Sequence, residues 1–256
     1  MRTIIIGDVH GCLQELHELV QGLHLLPGDT VIFVGDLVDK GPDSPGVVRY
    51  CRELQTRCQV VLVQGNHEDK HARYRRHLAA GRGGELKMKG TAEIKACLAG
   101  LDDSDIAFLD GAVLYHQVPE HGIIVVHGGI LPGVRSLPQT PYWEMSGSDR
   151  KYHGLMMRTR FVDKATGEML MLGTEKEGDP FWADIYDGRF GKAVFGHSAF
   201  LNRYRLPKVF DHALGIDLGC VYGGHLLALV LEEGKAMEYA SVPAKAKYAS
   251  IRDEDA

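Results

Sequence analysis

Residues 3–11 have the sequence TIIIGDVHG, in which a short β-branched run ends abruptly in glycine, aspartate and histidine. A run this short and this apolar predicts a strand that is buried on both faces. The same arrangement recurs four times, where apolar runs end in GDLVD (35–39), GNHE (65–68), HGG (127–129) and GH (196–197). Ligands of open α/β sheets bind beyond the carboxyl ends of strands, so we expect all five polar clusters to meet at one edge of the fold.

Helical patterns follow the first three of these strands. Apolar residues keep helical spacing over 13–23, Ser44 and Pro45 suit an N-cap and a first turn, and a basic helix is expected over 68–80. Strand, polar cluster and helix repeated three times predict a parallel or mixed sheet and the α/β (α+β) class. Later apolar runs predict strands that close a second sheet, at 213–218, 226–232 and 236–240.

The composition is that of an ordinary globular domain. The chain has 256 residues, of which 45% are hydrophobic and 25% are charged, and its net charge is −5. We expect one domain over residues 1–243, with a basic helical insert at about 69–95 and a flexible tail at 244–256. The mild negative charge gives no reason to expect a membrane surface or a stable nucleic-acid partner.

The cysteines and the N-terminus indicate the cellular setting. Five cysteines are an odd number, and no two have the C-x-x-C spacing of a metal site, so we expect reduced thiols in a cytoplasmic protein. The apolar run at 3–6 is far too short for a signal sequence or a membrane span, and no later run is as long as a span of about 18 residues.

The five polar clusters contain eight side chains that could bind a metal ion. They combine carboxylates, imidazoles and one amide without a thiolate, a set that suits Mn, Fe, Zn or Ni. Eight such groups exceed the needs of one ion, so we expect two ions about 3.5–4 Å apart, one bridging carboxylate and a bridging hydroxide as the nucleophile. The eight are Asp8, His10, Asp36, Asp39, Asn66, His67, His127 and His197.

The same motifs carry a family resemblance. It extends from about residue 3 to residue 231, nearly the whole chain. It implies a β-sandwich of mixed sheets flanked by helices, which agrees with the strands predicted above. The motifs that resemble the phosphoprotein-phosphatase branch of the calcineurin-like metallophosphoesterases are GDVHG at 7–11, GDLVDKGPDS at 35–44, GNHE at 65–68, HGG at 127–129 and GH at 196–197.

The resemblance also implies roles for these residues. Asp36 would bridge two divalent metal ions, with Mn2+ as the first expectation and Co2+, Ni2+, Fe2+, Zn2+ and Mg2+ as alternatives. His67 would protonate the leaving oxygen as the general acid, with Asp39 as the carboxylate that orients it. The remaining ligands divide between the ions: Asp8 and His10 for the first, and Asn66, His127 and His197 for the second.

Two positions depart from the wider family pattern. Ala199 stands where many relatives carry a second histidine, which leaves the first metal with fewer protein ligands. Lys40 stands where this branch usually has arginine, so a bidentate phosphate clamp is lost there. Arg158 and Arg160 are candidates for another phosphate clamp, although alternating arginines on the surface of a strand would give the same pattern.

Substrate preference depends on features outside the metal motifs. The segment 69–95 carries eight lysines and arginines against three acidic residues, and it could hold a polyphosphate chain or form a solvated helix face. GIDLGCVYGG at 215–224 is similar to the closing loop of diadenosine tetraphosphatases and related bacterial phosphatases. Trp182 or Tyr222 could stack on a base as part of a substrate site, or either could pack in the core.

These features favour a nucleotide as the small-molecule substrate. The first hypothesis is hydrolysis of dinucleoside polyphosphates, with diadenosine tetraphosphate cut symmetrically to two ADP, although the motifs alone leave symmetric and asymmetric cleavage open. The alternative substrates are phosphoserine, phosphothreonine or phosphotyrosine in proteins, and nucleoside-polyphosphate caps at RNA 5′ ends. An inactive metal-binding scaffold would be expected to lack a ligand or His67, and the sequence lacks none of them.

Overall fold

The computed structural model describes residues 1–82, 90–202 and 205–251. Ten strands in these ranges form two five-stranded sheets, and seven α-helices connect or flank them. The strands are β1 (Arg2–Ile6), β2 (Thr30–Phe33), β3 (Gln59–Leu62), β4 (Tyr115–Val118), β5 (Ile123–Val126), β6 (Lys192–Phe195), β7 (Lys208–Val209), β8 (Ala213–Gly215), β9 (His225–Glu232) and β10 (Glu238–Pro243). The helices are α1 (Leu13–Leu23), α2 (Ser44–Leu54), α3 (Asn66–Ala79), α4 (Thr91–Ala99), α5 (Asp103–Asp110), α6 (Gly147–His153) and α7 (Trp182–Ile185).

The first sheet has the strand order β10-β9-β1-β2-β3. β1, β2 and β3 are parallel, with Ile5 level with Ile32 and Ile32 level with Val61. β9 pairs with β1 in the antiparallel sense, and β10 pairs with β9 in the same way. The carboxyl ends of the three parallel strands therefore open onto one edge of this sheet.

The second sheet has the strand order β4-β5-β6-β8-β7. Its three central strands β5, β6 and β8 are parallel, and the antiparallel strands β4 and β7 form its two edges. Both sheets are therefore mixed, as the sequence predicts. The HGG and GH motifs follow β5 and β6, so they also lie at the carboxyl ends of parallel strands.

The two sheets pack face to face around a shared apolar core. Ile5 and Ile32 of the first sheet and Val125 of the second belong to one buried cluster. Side chains alternate along a strand, so Ile4 faces the other way and packs with Leu16 of α1 in a second cluster. The architecture is a β-sandwich flanked by helices, which confirms the predicted fold class.

The last two strands join a different sheet from the one predicted. The runs at 226–232 and 236–240 predict strands of the second sheet, but β9 and β10 lie in the first, with β9 beside β1. An apolar run indicates that a strand is buried, whereas its partner depends on which sheet edge the connecting chain reaches. The edge strand β4 escaped prediction because its sequence, YHQV, has little apolar character.

Helix α2 begins one residue earlier than the sequence predicts. Asp43, not Ser44, is the N-cap, and its carboxylate accepts a hydrogen bond from the Gly46 N–H at 2.8 Å. The hydroxyl of Ser44 instead accepts from the Asp39 N–H at 2.9 Å. Ser44 therefore fixes the backbone of the loop that carries Asp39, a role that capping rules alone do not reveal.

The predicted insert and tail are partly described. The basic segment at about 69–95 runs from α3 into α4, and residues 83–89 lie outside the described ranges. In the predicted tail, the N–H groups of Ala244 and Tyr248 donate to the carbonyls of Gly224 and Val221 at 2.9 and 3.0 Å. These bonds attach the start of the segment to the domain, which differs from a flexible tail beginning at residue 244. Among the described helices, none has the length and apolar content needed to cross a bilayer.

Candidate metal centre

The loops at the carboxyl ends of the parallel strands carry the eight predicted ligand residues, and they hold an unusual backbone conformation. Seven non-glycine residues of the described chain have a positive φ, and five of them lie in these loops. Such strain costs roughly 1–3 kcal/mol per residue and persists only where surrounding contacts hold it. Its concentration at this edge marks a functional site. The five residues are His10, Asp36, Asp39, Lys40 and His197.

Asp36 lies at the middle of the site. Its Oδ2 atom is 3.3 Å from His127 Nε2, 3.5 Å from His10 Nε2 and 4.0 Å from His67 Nε2. Two groups of three side chains have ligand atoms within 4.8 Å of one another: His10, Asp36 and His67 form one, and Asp36, His127 and His197 form the other. Asp36 belongs to both groups, which is the position that a bridging carboxylate needs.

Backbone carbonyl groups set the direction of two imidazole rings. His10 donates from Nδ1 to the Val38 carbonyl at 2.9 Å, and His127 donates from Nδ1 to the Val34 carbonyl at 2.9 Å. The Nε2 atom of each ring therefore faces Asp36. Metal-binding histidines are usually held in this way, because the second nitrogen's hydrogen bond fixes both the tautomer and the ring orientation.

Asp8 and His197 hold buried polar atoms that need a further partner. Asp8 Oδ2 accepts from the backbone N–H of His197 at 2.9 Å. Asp8 Oδ1 and His197 Nε2 are shielded from solvent and have no hydrogen-bond partner within the described ranges. Because an unsatisfied buried polar atom is costly, a bound cation is a fitting partner for both. Asn66 lies at the same place, with its Oδ1 3.1 Å from His127 Nε2.

The two central carboxyl groups differ in their ease of ionisation. Burial opposes ionisation of Asp36, but the imidazoles of His127 and His67 hold the pKa of that carboxyl well below its ordinary value. Burial and the nearby carboxyl of Asp217 raise the pKa of Asp8. A divalent cation beside these groups would offset both the burial and the repulsion between carboxylates.

The histidines also suit a metal ion. Burial lowers the pKa values of His10 and His197, which favours the neutral ring that binds metals. Burial acts on His127 in the same direction, but the Asp36 carboxylate raises the pKa of that ring to about 9, so a cation bound there would displace a proton. Carboxylate, amide and imidazole donors without a thiolate suit Mn, Fe, Zn or Ni. The residues present therefore fit a divalent metal centre in three respects. Their donor atoms suit such ions, two of their buried polar atoms lack a hydrogen-bond partner in the described chain, and a cation would offset the repulsion between the carboxylates.

His67 faces the same centre but is held by a separate carboxylate. It donates from Nδ1 to Asp39 Oδ2 at 2.7 Å, and its Nε2 points toward Asp36. His71 donates from Nε2 to the other oxygen of Asp39 at 2.7 Å. Burial opposes ionisation of Asp39, but the two histidines hold its pKa below the ordinary value. His71 is not among the residues predicted from the sequence, although its position four residues after His67 on a helix is the signal that could have found it.

The two aromatic candidates for base stacking have different environments. Trp182 is 0% exposed and packs against Phe195 with ring centroids 4.9 Å apart. It is a core residue and cannot stack on a substrate, which corrects that part of the sequence analysis. Tyr222 is also buried, and its hydroxyl accepts from Lys40 Nζ at 2.7 Å. The Tyr222 hydroxyl therefore helps to fix the position of the Lys40 ammonium group.

The two arginines predicted as a phosphate clamp have different partners. Arg160 donates to the carbonyl of His197 at 2.8 Å, so its guanidinium contacts the loop of a candidate ligand. Arg158 donates to Asp69 Oδ2 at 2.9 Å. Both side chains are half-buried, and each links segments far apart in the sequence.

The family of the chain follows from comparison with known proteins. Residues 1–228 match the family model of calcineurin-like phosphoesterases. The chain belongs to this family. One relative of this phosphoesterase is the asymmetrical bis(5′-nucleosyl)-tetraphosphatase PrpE of Halalkalibacterium halodurans, which is 32% identical over 96% of this chain and 95% of its own length.

Two solved structures resemble the phosphoesterase. A candidate diadenosine tetraphosphatase superposes with a TM-score of 0.67 at 28% identity, covering 95% of this chain and 93% of its own. The cold-active protein-tyrosine phosphatase of a Shewanella species superposes with a TM-score of 0.54 at 17% identity, covering 95% and 80%. The second likeness shows the fold alone, because one fold can carry sites for different substrates.

A buried glutamate of the phosphoesterase ties the ligand loops together. Glu68 is 2% exposed and lies three residues after Gly65, the N-cap of α3. Its Oε2 accepts from the N–H groups of Asp36 and Gly65 at 2.8 and 3.0 Å, and its Oε1 accepts from the Leu37 N–H at 2.8 Å. One carboxylate thereby fixes Asp36 relative to the start of α3. The sequence alone assigned no role to Glu68, although glutamate three residues after an N-cap is a known capping signal.

We expect Glu68→Gln to lower the free energy of unfolding by about 2–4 kcal/mol. Glutamine keeps one acceptor oxygen and turns an amide N–H toward a backbone donor that was paired before. Urea unfolding with a metal chelator present measures this change without a contribution from metal loss. Glu53→Gln, on the exposed side of α2, is the matched control and should change the value by less than about 0.5 kcal/mol. An unchanged urea midpoint for Glu68→Gln would show that the carboxylate does not hold the loops.

Proposed function

We propose that this phosphoesterase hydrolyses dinucleoside polyphosphates such as diadenosine tetraphosphate, and that it cuts them asymmetrically to ATP and AMP. The observation that carries the proposal is the place of Asp36 in both groups of ligand atoms, with His67 beside it, as a two-metal phosphoesterase needs. Relatives named asymmetrical bis(5′-nucleosyl)-tetraphosphatase that span nearly the whole chain support the substrate class and the direction of cleavage. This direction replaces the symmetric cleavage that was the first hypothesis from sequence.

The proposed metal ligands surround Asp36. Divalent ions held there would supply Lewis acidity toward the phosphoryl oxygens and would activate water for attack on phosphorus. Mn2+ is the first expectation among the metals that this donor set accepts. The proposed ligands are Asp8 and His10 for the first ion, Asp36 as the bridge, and Asn66, His127 and His197 for the second ion.

His67 would protonate the leaving oxygen in this proposal. Its Nδ1 donates to Asp39, so a transferable proton would lie on Nε2, which faces the site. The hydrogen bond to Asp39 holds the ring in this orientation. Asp39 and His71 act through His67 as positioning residues, because the bond from His71 prevents Asp39 from rotating away.

Basic side chains near the metals hold the phosphate chain in this proposal. Lys40, supported by the hydroxyl of Tyr222, offers a point charge instead of the two-pronged contact of an arginine. Arg160, bonded to the carbonyl of His197, offers its guanidinium group to a phosphate oxygen beside the metals, and Arg158, bonded to Asp69, lies on the side where further phosphates would follow. Lys40, Tyr222 and Arg160 are the proposed substrate contacts closest to the cleaved bond.

Product analysis with the manganese-loaded protein tests the proposal. We expect diadenosine tetraphosphate to yield ATP and AMP in equal amounts from the earliest time point, as resolved by chromatography. ADP as the sole product would reverse the direction of cleavage and keep the substrate class. We also expect kcat/KM for the dinucleotide to exceed that for a phosphothreonine peptide by at least roughly a hundredfold. Preference for the peptide would show that the substrate class was wrong.

A further inference from the structure

Four arginines surround one buried carboxylate beside the candidate metal centre. Asp69 is 2% exposed, and Arg158 donates to its Oδ2 at 2.9 Å. Arg150 lies 3.9 Å from Oδ1 and Arg73 lies 4.0 Å from Oδ2 of the same side chain. Arg76 is the fourth, on the same face of α3 as Asp69 and Arg73, because it follows Asp69 by seven residues and Arg73 by three. Arg73, Arg76, Arg150 and Arg158 are called the arginine cluster below.

The arginine cluster places four guanidinium groups around the single carboxylate of Asp69. Burial and the nearby Arg150 lower the pKa of Arg76, while Asp69 and Tyr142 act in the opposite direction. The side chains of Arg73 and Arg76 reach solvent, where an anion can approach them. Because like charges at short range repel one another, an anion with several oxygens is the ligand that this cluster favours.

The arginine cluster is linked to the proposed metal centre through the backbone near Arg158. The carbonyl of Met156, two residues before Arg158, accepts a hydrogen bond at 2.9 Å from the N–H of the residue after His127. Asp69 follows His67 by two residues in the first turn of α3, so its side chain leaves the helix on a different face. A ligand with one phosphate at the metal centre would therefore reach the arginine cluster on the Arg158 side.

A cavity of about 350 Å³ opens beside the arginine cluster, between β4 and the turn that precedes α6. Arg150 belongs to the arginine cluster and also contacts the wall of the cavity. Its guanidinium carbon lies 4.3 Å from the ring centre of Tyr142, and its Nη1 donates to the Trp143 carbonyl at 3.3 Å. The volume lies in the range of small-molecule sites, roughly 300–1,000 Å³. Residues of this aromatic cavity include Tyr115, His116, Pro138, Gln139, Tyr142 and Trp143.

The walls of the aromatic cavity suit a nucleobase. Trp143 is 48% exposed, so part of its indole ring is free for stacking. Gln139 lines the cavity with an amide, a group that can both donate and accept at the edge of a base, and its Nε2 also donates to the Leu137 carbonyl at 3.4 Å. Aromatic surface next to guanidinium groups is the combination that a nucleoside attached to a phosphate chain requires.

We propose that the arginine cluster and the aromatic cavity bind the part of the dinucleotide that lies beyond the cleaved bond. The arginines bind the polyphosphate chain, and the cavity binds the second nucleoside. This inference rests on the proposed function and names the subsite that would distinguish a dinucleotide from a simple phosphate ester. A phosphate monoester would fill the metal centre and reach neither feature.

The kinetic test replaces two exposed arginines of the cluster together, in R73Q/R76Q. We expect KM for diadenosine tetraphosphate to rise about tenfold, because two charged hydrogen-bond donors to phosphate are lost. The rise in KM for p-nitrophenyl phosphate should be at least about five times smaller than the rise for the dinucleotide, since p-nitrophenyl phosphate carries no further phosphates. Arg57→Gln is the matched control, because Arg57 is exposed at the opposite end of the strands, just before β3, and both KM values should stay unchanged. Equal changes of both KM values in R73Q/R76Q would overturn the proposal.

A binding test gives a readout that needs no turnover. The chain has two tryptophans, of which Trp182 is fully buried and Trp143 is half exposed, so fluorescence quenching by a ligand reports on Trp143. We expect saturable quenching of the metal-loaded protein by a non-hydrolysable ATP analogue, with affinity weakened about tenfold in R73Q/R76Q. Trp143→Phe should abolish the signal. No quenching in the unmodified protein would remove the cavity as a nucleoside site.

The two proposals fail in distinguishable ways. Quenching that depends on the arginines, without hydrolysis of diadenosine tetraphosphate, would support the subsite and contradict the proposed function. Cleavage to ATP and AMP with an unchanged KM in R73Q/R76Q and no quenching would support the proposed function and contradict the subsite.

Discussion

Asp36→Asn is expected to remove both metal ions and to reduce kcat by roughly a thousandfold or more. The carboxylate lies in both groups of closely spaced ligand atoms, so its loss affects both ion positions at once. An amide oxygen has no charge to offset two cations, and metal ions supply several kcal/mol of transition-state stabilisation, with about 1.4 kcal/mol per tenfold change in rate. Elemental analysis of the purified variant measures the metal content, and hydrolysis of p-nitrophenyl phosphate measures the rate.

The control for this variant is Asp211→Asn. Asp211 is exposed just before β8, at the end of the strand that faces away from the site, so metal content and rate should match those of the unmodified protein. Two ions per chain in Asp36→Asn would contradict the bridging role of Asp36.

His67→Ala should keep its metal ions and lose about 10²–10⁴ in kcat on phenyl phosphate, because general acid catalysis contributes about this much when the leaving group is poor. With p-nitrophenyl phosphate and diadenosine tetraphosphate the loss should be much smaller, because nitrophenolate and a departing nucleotide phosphate are both weakly basic. A loss on phenyl phosphate no larger than that on p-nitrophenyl phosphate would show that His67 is not the acid.

Metal analysis of the same variant decides between two roles for His67. Its Nε2 belongs to one of the groups of potential ligand atoms, together with His10 and Asp36. Loss of one ion per chain in His67→Ala would therefore show that His67 is a ligand. His121→Ala is the control, because His121 precedes β5 at the opposite end of the strand and should affect neither metal nor rate.

The proposed metal-site residues could be predicted because each stands at a strand end that is visible in a short stretch of sequence. Asp8 and His10 follow a buried run of three isoleucines, and His127 follows IIVV in the same way. The residues around them were harder to predict. Glu68 stands in a quoted motif, yet its role depends on backbone N–H groups of Asp36 and Leu37, more than thirty residues earlier.

The sequence motifs carry no information about whether cleavage is symmetric or asymmetric. The metal motifs report on the reacting phosphate, whereas the direction of cleavage depends on where the rest of the substrate lies. The proposed subsite joins Asp69 to Arg158, which are separated by 89 positions in the chain. No local pattern predicts that pairing.

The sequence by itself determined which segments form buried strands, where those strands end and which polar side chains follow them. These features depend on alternation and on short-range preferences, which act over a few residues. Only the tertiary structure decided that β9 returns to lie beside β1, that Trp182 packs in the core, and that four arginines gather around Asp69. The physical reason is that such contacts join residues far apart in the chain, and their positions follow from how the two sheets and their helices pack together.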